Sequence, residues 1–407
     1  MEVQQDGAIV AHHGPYQLKS AFQPIYSYAH KRPVGYEALV RPQDAQGKAV
    51  SPGLFLGSAR SLDETVFLDR LLRALHVANF FRHPPEDAWI FLNVNPVVVI
   101  HGPARGSFFR AMLEAFQVPA HRVVVEVMET GTREEDHLER TATYYREVGC
   151  LVAIDDFGAG HSNFNRIWNI KPDIIKLDRT MIQKAAADPV ARRSLTHIVA
   201  LLHEIGALVV AEGIESRQEA LVAVNADMDL LQGFYFARPS TGLGGDLSCH
   251  EQFATLHEHF KRQMHEEDVD FGLLIRPHRG AFVQSANLLA EGHDLTVATR
   301  IMLSMPNVQR CYLLDEHGTQ MGEILPSVNH RVPSDPRHGP LSNARGGSWI
   351  HRPYFRRAMA KPGTMQITRP YLSFVDARMC LTLSMAIPAA VGTRVLCCDI
   401  RYPPRAD

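Results

Sequence analysis

The chain has 407 residues, which at roughly 100–200 residues per domain excludes a single small module and fits two or more domains. Its 42 Lys and Arg stand against 44 Asp and Glu, a formal charge of −2, so it lacks the positive excess of a general nucleic-acid binder. Hydrophobic residues make up 45% and charged residues 21%, the balance of a chain that buries cores rather than one that stays disordered.

The N-terminus opens with acidic residues and has no basic region leading into an apolar stretch, so no secretory leader is expected. From there to about residue 240, short β-rich runs alternate with longer segments of helical period. Strands are expected at 18–24, 34–40, 89–95, 122–127, 151–155, 174–178, 208–212 and 230–235. Helices are expected between them, notably at 62–81 and at 191–205, where Gly206 stops the helix. Eight strands with intervening helices fit the TIM-like (β/α)8 barrel, whose typical size is about 250 residues. The barrel is expected within 1–247, followed by a linking helix at 248–272 and a smaller α/β domain at 273–407. In that last domain, strands are expected near 309–318, 378–388 and 393–400, with a loop at 327–347 rich in Pro, Gly, Ser and Asn. The apolar runs are far shorter than the ~20 residues needed to cross a bilayer. A cytoplasmic protein is expected, with neither membrane nor DNA or RNA as partner. Six cysteines are too sparse for a disulfide framework, and the adjacent Cys397 and Cys398 read as reduced, buried strand residues.

Polar residues interrupt the apolar strands in a regular way. Glu37, Asn93, Glu126, Asp155, Lys176, Glu212 and Gln232 each lie in or at the end of one. In a β/α barrel those ends converge on one face. Ionisable groups facing a barrel interior are costly unless paired or metal-bound. The carboxylates and the amide oxygen form an all-oxygen donor set, which suits Mg²⁺ or Mn²⁺. Asp155 and Asp156 would face opposite sides of a regular strand, but at a strand-to-loop junction both can turn inward and serve a two-metal site for phosphate-ester hydrolysis. Lys176 alone admits other readings, a Schiff-base lysine or an ion-pair partner of Asp155. Acidic surroundings would keep it protonated and make it a poor amine nucleophile.

These residues fall in motifs that resemble the EAL-type cyclic di-GMP phosphodiesterases. Glu37-Ala-Leu-Val-Arg41 resembles the motif that names the family. Phe22-Gln-Pro-Ile25, Asn93-Val-Asn95, Glu126-Val-Met-Glu129, Asp155-Asp-Phe-Gly158, Ile175-Lys-Leu-Asp178, Ala211-Glu-Gly-Ile-Glu215 and Gln232-Gly-Phe234 with Arg238-Pro239 follow in the family's order. The resemblance implies a first cation on Glu37, Asn93, Glu126 and Asp155, and a second on Asp155 and Asp156. It implies that Lys176 and Glu212 orient and activate the attacking water, and that Gln23, Leu39, Arg41, Asn93, Gln232 and Arg238 meet the substrate. It gives Glu129, Glu215 and Asp178 supporting roles, and implies cyclic di-GMP converted to linear pGpG by a homodimer. Three positions depart from the family's habit: Ala159 stands where Thr is common, His161 where an aromatic is common, and Pro42 replaces an aromatic after Arg41. The implied activity is an active phosphodiesterase, the alternative being a cyclic di-GMP receptor without turnover.

The C-terminal part resembles PAS-like or Cache-like sensor domains through Trp349-Ile-His-Arg-Pro-Tyr354, the segment around Tyr371 and the terminal Cys398-Asp-Ile400. On that resemblance, Arg352, Tyr354, Tyr371 and Asp399 would hold a small amphoteric ligand that regulates the barrel. The other reading is a dimerisation or packing domain.

Overall fold

In the computed structural model, the described residues are 1–85, 87–95, 98, 108–128, 135–160, 164–243, 249–329, 346–373, 379–389 and 392–402. The chain divides into two units, Met1–Gln263 and Met264–Asp407.

The first unit contains a closed eight-stranded barrel. A short pair, β1 (Glu2–Val3) and β2 (Ile9–His13), leads into β3 (Tyr16–Ser27). The barrel itself is β3, β4 (Arg32–Gln43), β5 (Trp89–Val94), β6 (Val123–Met128), β7 (Leu151–Phe157), β8 (Ile174–Leu177), β9 (Leu208–Ala211) and β10 (Leu230–Leu231), closed by pairing of β3 with both β4 and β10. Strands β4 to β10 run parallel, whereas β3 runs antiparallel to both its neighbours. This departs from a uniform β/α repeat. The turn at residues 28–31 is too short for a crossover helix, so β3 and β4 can only form a hairpin.

The helices obey their local signals. Leu62–Phe80 begins at Ser61, whose side chain accepts from the Glu64 amide, with Asp63 and Glu64 favouring the positive N-terminal end. Pro189–Ile205 starts with Pro in its first turn and ends at Gly206, whose φ of 96° is left-handed. Strand β10 is shorter than the expected 230–235 because the chain must turn at Gly233. A Cβ there would lie 2.0 Å from the Ile214 carbonyl oxygen.

Two apolar layers hold the barrel. Outside the sheet, residues such as Ile90, Leu92, Val125, Val127 and Val209 pack against the helices. Inside it, Ile25, Phe91, Val124, Ala153, Ile174, Val210 and Leu230 form a separate cluster that plugs the interior.

The helix Cys249–Ala290 begins in the first unit and ends in the second, running well past the expected 248–272. Pro277 lies within it. Burial of Phe282, Ala286 and Leu289 against the second unit's sheet overrides the helix-breaking preference of that proline. The second unit's sheet is antiparallel, in the order β12 (Gln320–Pro326), β11 (Val308–Leu314), β16 (Thr393–Arg401), β15 (Met379–Pro388), β13 (Gln366–Ile367), with β14 (Tyr371–Leu372) also on β15. Alternation sorts its strands onto two faces. Leu381, Leu383, Leu396 and Cys398 lie with the long helix, whereas Ala386, Val395 and Cys397 lie with Tyr354 and Phe355 of the helix Pro353–Ala360. All six cysteines are buried thiols. Most of the loop expected at 327–347 lies outside the described residues.

Candidate active site

The polar residues singled out from the sequence form the next layer above the barrel plug. Side chains two residues apart on a strand point the same way. Phe91 is followed by Asn93, Val124 by Glu126, Ala153 by Asp155, Ile174 by Lys176, Val210 by Glu212 and Leu230 by Gln232. On β4 the pair is Gly35 and Glu37; a Cβ at Gly35 would lie 2.6 Å from the Phe91 ring. On the reversed strand β3 the order inverts, so Gln23 precedes Ile25. The ladder continues through the last two positions, with the Glu212 amide on the Leu177 carbonyl at 3.2 Å and the Gln232 amide on the Ala211 carbonyl at 2.9 Å.

Lys176 is the hub of this layer and is 1% exposed. Its Nζ lies 2.5 Å from Glu126 Oε1, 2.9 Å from Asp155 Oδ1, 2.6 Å from Glu212 Oε1 and 3.9 Å from Glu37 Oε2. Gln232 donates to Glu37 Oε2 at 2.6 Å and Asn93 donates to Glu37 Oε1 at 3.1 Å. One ammonium cannot balance this many carboxylates. Burial, reinforced by repulsion from Glu37 and Asp155, pushes Glu126 well above the usual carboxylate range. Burial likewise pushes Glu212 up to about 8, and it raises Asp156, which Asp155 repels. Burial alone would lower Lys176, but Asp155, Glu126 and Glu212 hold it well above its usual value and keep it charged.

The adjacent aspartates converge through a backbone irregularity. The pairing of β7 with β8 shifts register between Ile154 and Phe157, and Asp156 has φ of 55°, a left-handed conformation that Asp tolerates better than most residues. Asp155, Asp156 and Glu212 each offer an oxygen within 4.8 Å of the others. Glu126 Oε2 is buried with no hydrogen-bond donor among the described residues. Clustered carboxylate oxygens in proton-holding excess fit a hard divalent cation.

A cavity of about 300 Å³ opens on this layer, with Gln23, Glu37, Asp155, Asp156, Lys176 and Glu212 in its wall. Asp178 and Glu215 stand at its edge in local roles. Asp178 caps the helix Arg179–Ala187 by accepting from the Thr180 amide at 2.9 Å, and Glu215 pairs with Arg179 at 3.2 Å. Leu39 and Arg41 line a neighbouring, mostly apolar cavity of about 270 Å³, which Asn93 also borders. The Arg41 guanidinium donates to the Val40 carbonyl at 2.9 Å. Arg238 stacks over Phe234, 4.3 Å from the ring centre. Glu129 and His161 lie outside the described residues. The sequence reading missed Arg179, which lines the acidic cavity together with Phe234 of the Gln232-Gly-Phe234 motif. Arg179 sits in a helix's first turn, where a basic residue carries no signal of its own.

In the second unit, Tyr354 and Tyr371 stack at 6.3 Å, and the Arg352 guanidinium lies 5.9 Å from both the Trp349 and Tyr371 rings. Asp399 is engaged within the protein. Arg310 Nε lies 3.2 Å from its Oδ2, and Thr382 Oγ1 donates to its Oδ1 at 2.8 Å.

The EAL domain family matches residues 10–239, more than half of the chain. The cyclic di-GMP phosphodiesterase RocR of Pseudomonas aeruginosa is 36% identical over 227 residues, 55% of this chain and 57% of RocR, so the chain spans little more than half of that relative's length. YkuI of Bacillus subtilis, an EAL-domain protein, is 27% identical over 349 residues, 82% of each chain. Its structure with cyclic di-GMP and calcium matches in fold with a TM-score of 0.76 at 23% identity, covering 95% of this chain and 97% of that one. The manganese and cyclic di-GMP complex of Klebsiella pneumoniae BlrP1 matches with a TM-score of 0.51 at 27% identity, over 58% of this chain and 60% of that one.

Proposed function

The chain belongs to the EAL domain family, and on that premise we propose that its first unit is a metal-dependent phosphodiesterase converting cyclic di-GMP to linear pGpG. The observation that carries the reading is the buried Lys176 held among Glu126, Asp155 and Glu212 above an apolar plug. Ionisable groups gathered at such a depth serve chemistry more readily than stability. RocR, with its phosphodiesterase name, and BlrP1, with manganese and cyclic di-GMP, support the substrate and the metal class.

Glu37, Asn93, Glu126 and Asp155 would hold one Mg²⁺ or Mn²⁺, and Asp155 with Asp156 a second. Bound there, the pair supplies positive charge to the phosphate oxygens and makes water a stronger acid. Glu212 takes the proton from the attacking water, and Lys176 orients that water through its N–H donors. The water oxygen bonds to phosphorus as the P–O bond to the ribose 3′ oxygen breaks, and that oxygen takes up a proton, leaving a 3′ hydroxyl and the 5′ phosphate of pGpG. The neighbouring cavity at Leu39 and Arg41 offers room for the part of the dinucleotide that a cavity of about 300 Å³ cannot hold. Arg41 must leave the Val40 carbonyl to meet a phosphate, where its planar fork suits bidentate pairing.

The test is incubation of the purified protein with cyclic di-GMP and Mg²⁺ or Mn²⁺. Appearance of pGpG, lost in Glu37→Ala, is the expected result; bound but intact substrate would make the protein a receptor instead. The proposal extends to a homodimer in the cytoplasm, with residues 248–272 as a link and residues 273–407 as a small-molecule sensor that sets turnover. Unchanged turnover and oligomeric state after deletion of 273–407 would end the regulatory part.

A further inference from the structure

The second unit has a cavity of about 230 Å³ beside the stacked tyrosines, separate from the acid layer of the barrel. Arg352, Arg357 and Arg369 line it together with Tyr354, Thr368 and Tyr371, and no carboxylate does so among the described residues. Three arginines border this one small cavity, and Arg357 and Arg369 are exposed. Their planar forks match the paired oxygens of a carboxylate or a phosphate monoester.

The aromatic part of the wall is preorganised. The Tyr371 hydroxyl is 2.6 Å from Thr382 Oγ1, which donates onward to Asp399, so a chain of hydrogen bonds fixes the ring. Its neighbour Tyr354 is buried and stacked against it at an interplanar angle of 28°. Arg352 is held against the faces of Trp349 and Tyr371, a cation–π arrangement that limits the freedom of its long side chain before any ligand arrives.

Asp399 lies outside the wall of this cavity and is engaged within the protein. It is 4% exposed, and Arg310, Thr382 and Tyr312 already engage its two oxygens, the last at 3.5 Å. A ligand's ammonium would meet no carboxylate in this wall among the described residues. We propose that the second unit binds a small, flat organic anion, its carboxylate or phosphate held by Arg352, Arg357 and Arg369 and its apolar body against Tyr354 and Tyr371. The volume, at about 230 Å³, lies below the roughly 300–1,000 Å³ typical of drug-sized ligands and suits a small one. This rests on the reading of the second unit as a sensor and names the ligand class.

Calorimetric titration of the full chain tests it, with benzoate, phenyl phosphate, inorganic phosphate and neutral benzamide as probes. Benzoate or phenyl phosphate is expected to bind at least tenfold more tightly than benzamide, and the stronger of the two identifies the oxyanion. The variant Arg357→Gln/Arg369→Gln changes two exposed side chains and is expected to weaken that binding about tenfold or more. Absence of binding at millimolar concentration, equal binding of benzamide, or binding undiminished in the double variant would each overturn the proposal. The phosphodiesterase assay is scored separately on the same protein. Anion binding without any change in turnover would retain the site and remove the regulatory reading.

Discussion

Glu212 Oε1 lies 2.6 Å from Lys176 Nζ, so the group proposed to take the water's proton is held by the group proposed to orient that water. Glu212→Gln keeps the shape and removes the base. Turnover is expected to fall about 10²- to 10⁴-fold while substrate binding persists, measured by pGpG formation against equilibrium binding of cyclic di-GMP.

The same residue makes metal-free stability depend on pH. In the folded protein burial raises Glu212 from an ordinary 4.5 to about 8. A group raised in this way stabilises fully below its unfolded value, and the contribution is lost as pH rises through the folded value. Chelator-treated protein is therefore expected to melt at progressively lower temperature between pH 4.5 and about 8, with Glu212→Gln flattening the slope. Divalent cation should raise the melting temperature more at pH 8 than at pH 6, because binding needs the ionised carboxylates. A cation effect independent of pH would contradict this.

A different residue governs the acid side. His76 is buried, with Ser20 Oγ at 2.8 Å from its Nδ1, and burial together with the Arg41 charge lowers it from 6.5 to about 3. A depressed group stabilises above its unfolded value and loses that contribution as pH falls through the folded one. The expected loss between pH 6.5 and about pH 4 is on the order of 3 kcal/mol. Urea denaturation of His76→Gln across that range should show a correspondingly shallower acid limb.

Gly233 has no room for a methyl group, since a Cβ would lie 2.0 Å from the Ile214 oxygen and 2.3 Å from its nitrogen. Gly233→Ala is expected to cost about 1–3 kcal/mol or more in stability and to displace the neighbouring Gln232 from Glu37. Thermal melting reads the first effect, and turnover of the still-folded fraction reads the second.

The acid layer was legible because a Glu, an Asp or a Lys inside a β-branched run is expensive enough to need a purpose. Glu126 in Val-Val-Val-Glu-Val and Lys176 in Ile-Ile-Lys-Leu show it plainly. The direction of β3 was missed although the short stretch between the expected strands 18–24 and 34–40 leaves no room for a crossover helix, because side-chain alternation reads the same in either sense along a strand. The second half of the long helix was hidden by Pro277, whose local preference yields to packing of Phe282 and Leu289. Asp399 stood out as a charge in an apolar strand, yet its partner Arg310 is 89 positions away on a neighbouring strand (399 − 310) and no local pattern links them.

The reversed course of β3 has a practical outcome. Its hairpin with β4 turns at residues 28–31, at the end of the barrel remote from the carboxylates, and Ala29, His30 and Lys31 are exposed there. A fluorophore or a short affinity tag grafted at this bend would report on the catalytic unit from its underside without entering the path of nucleotide or ion.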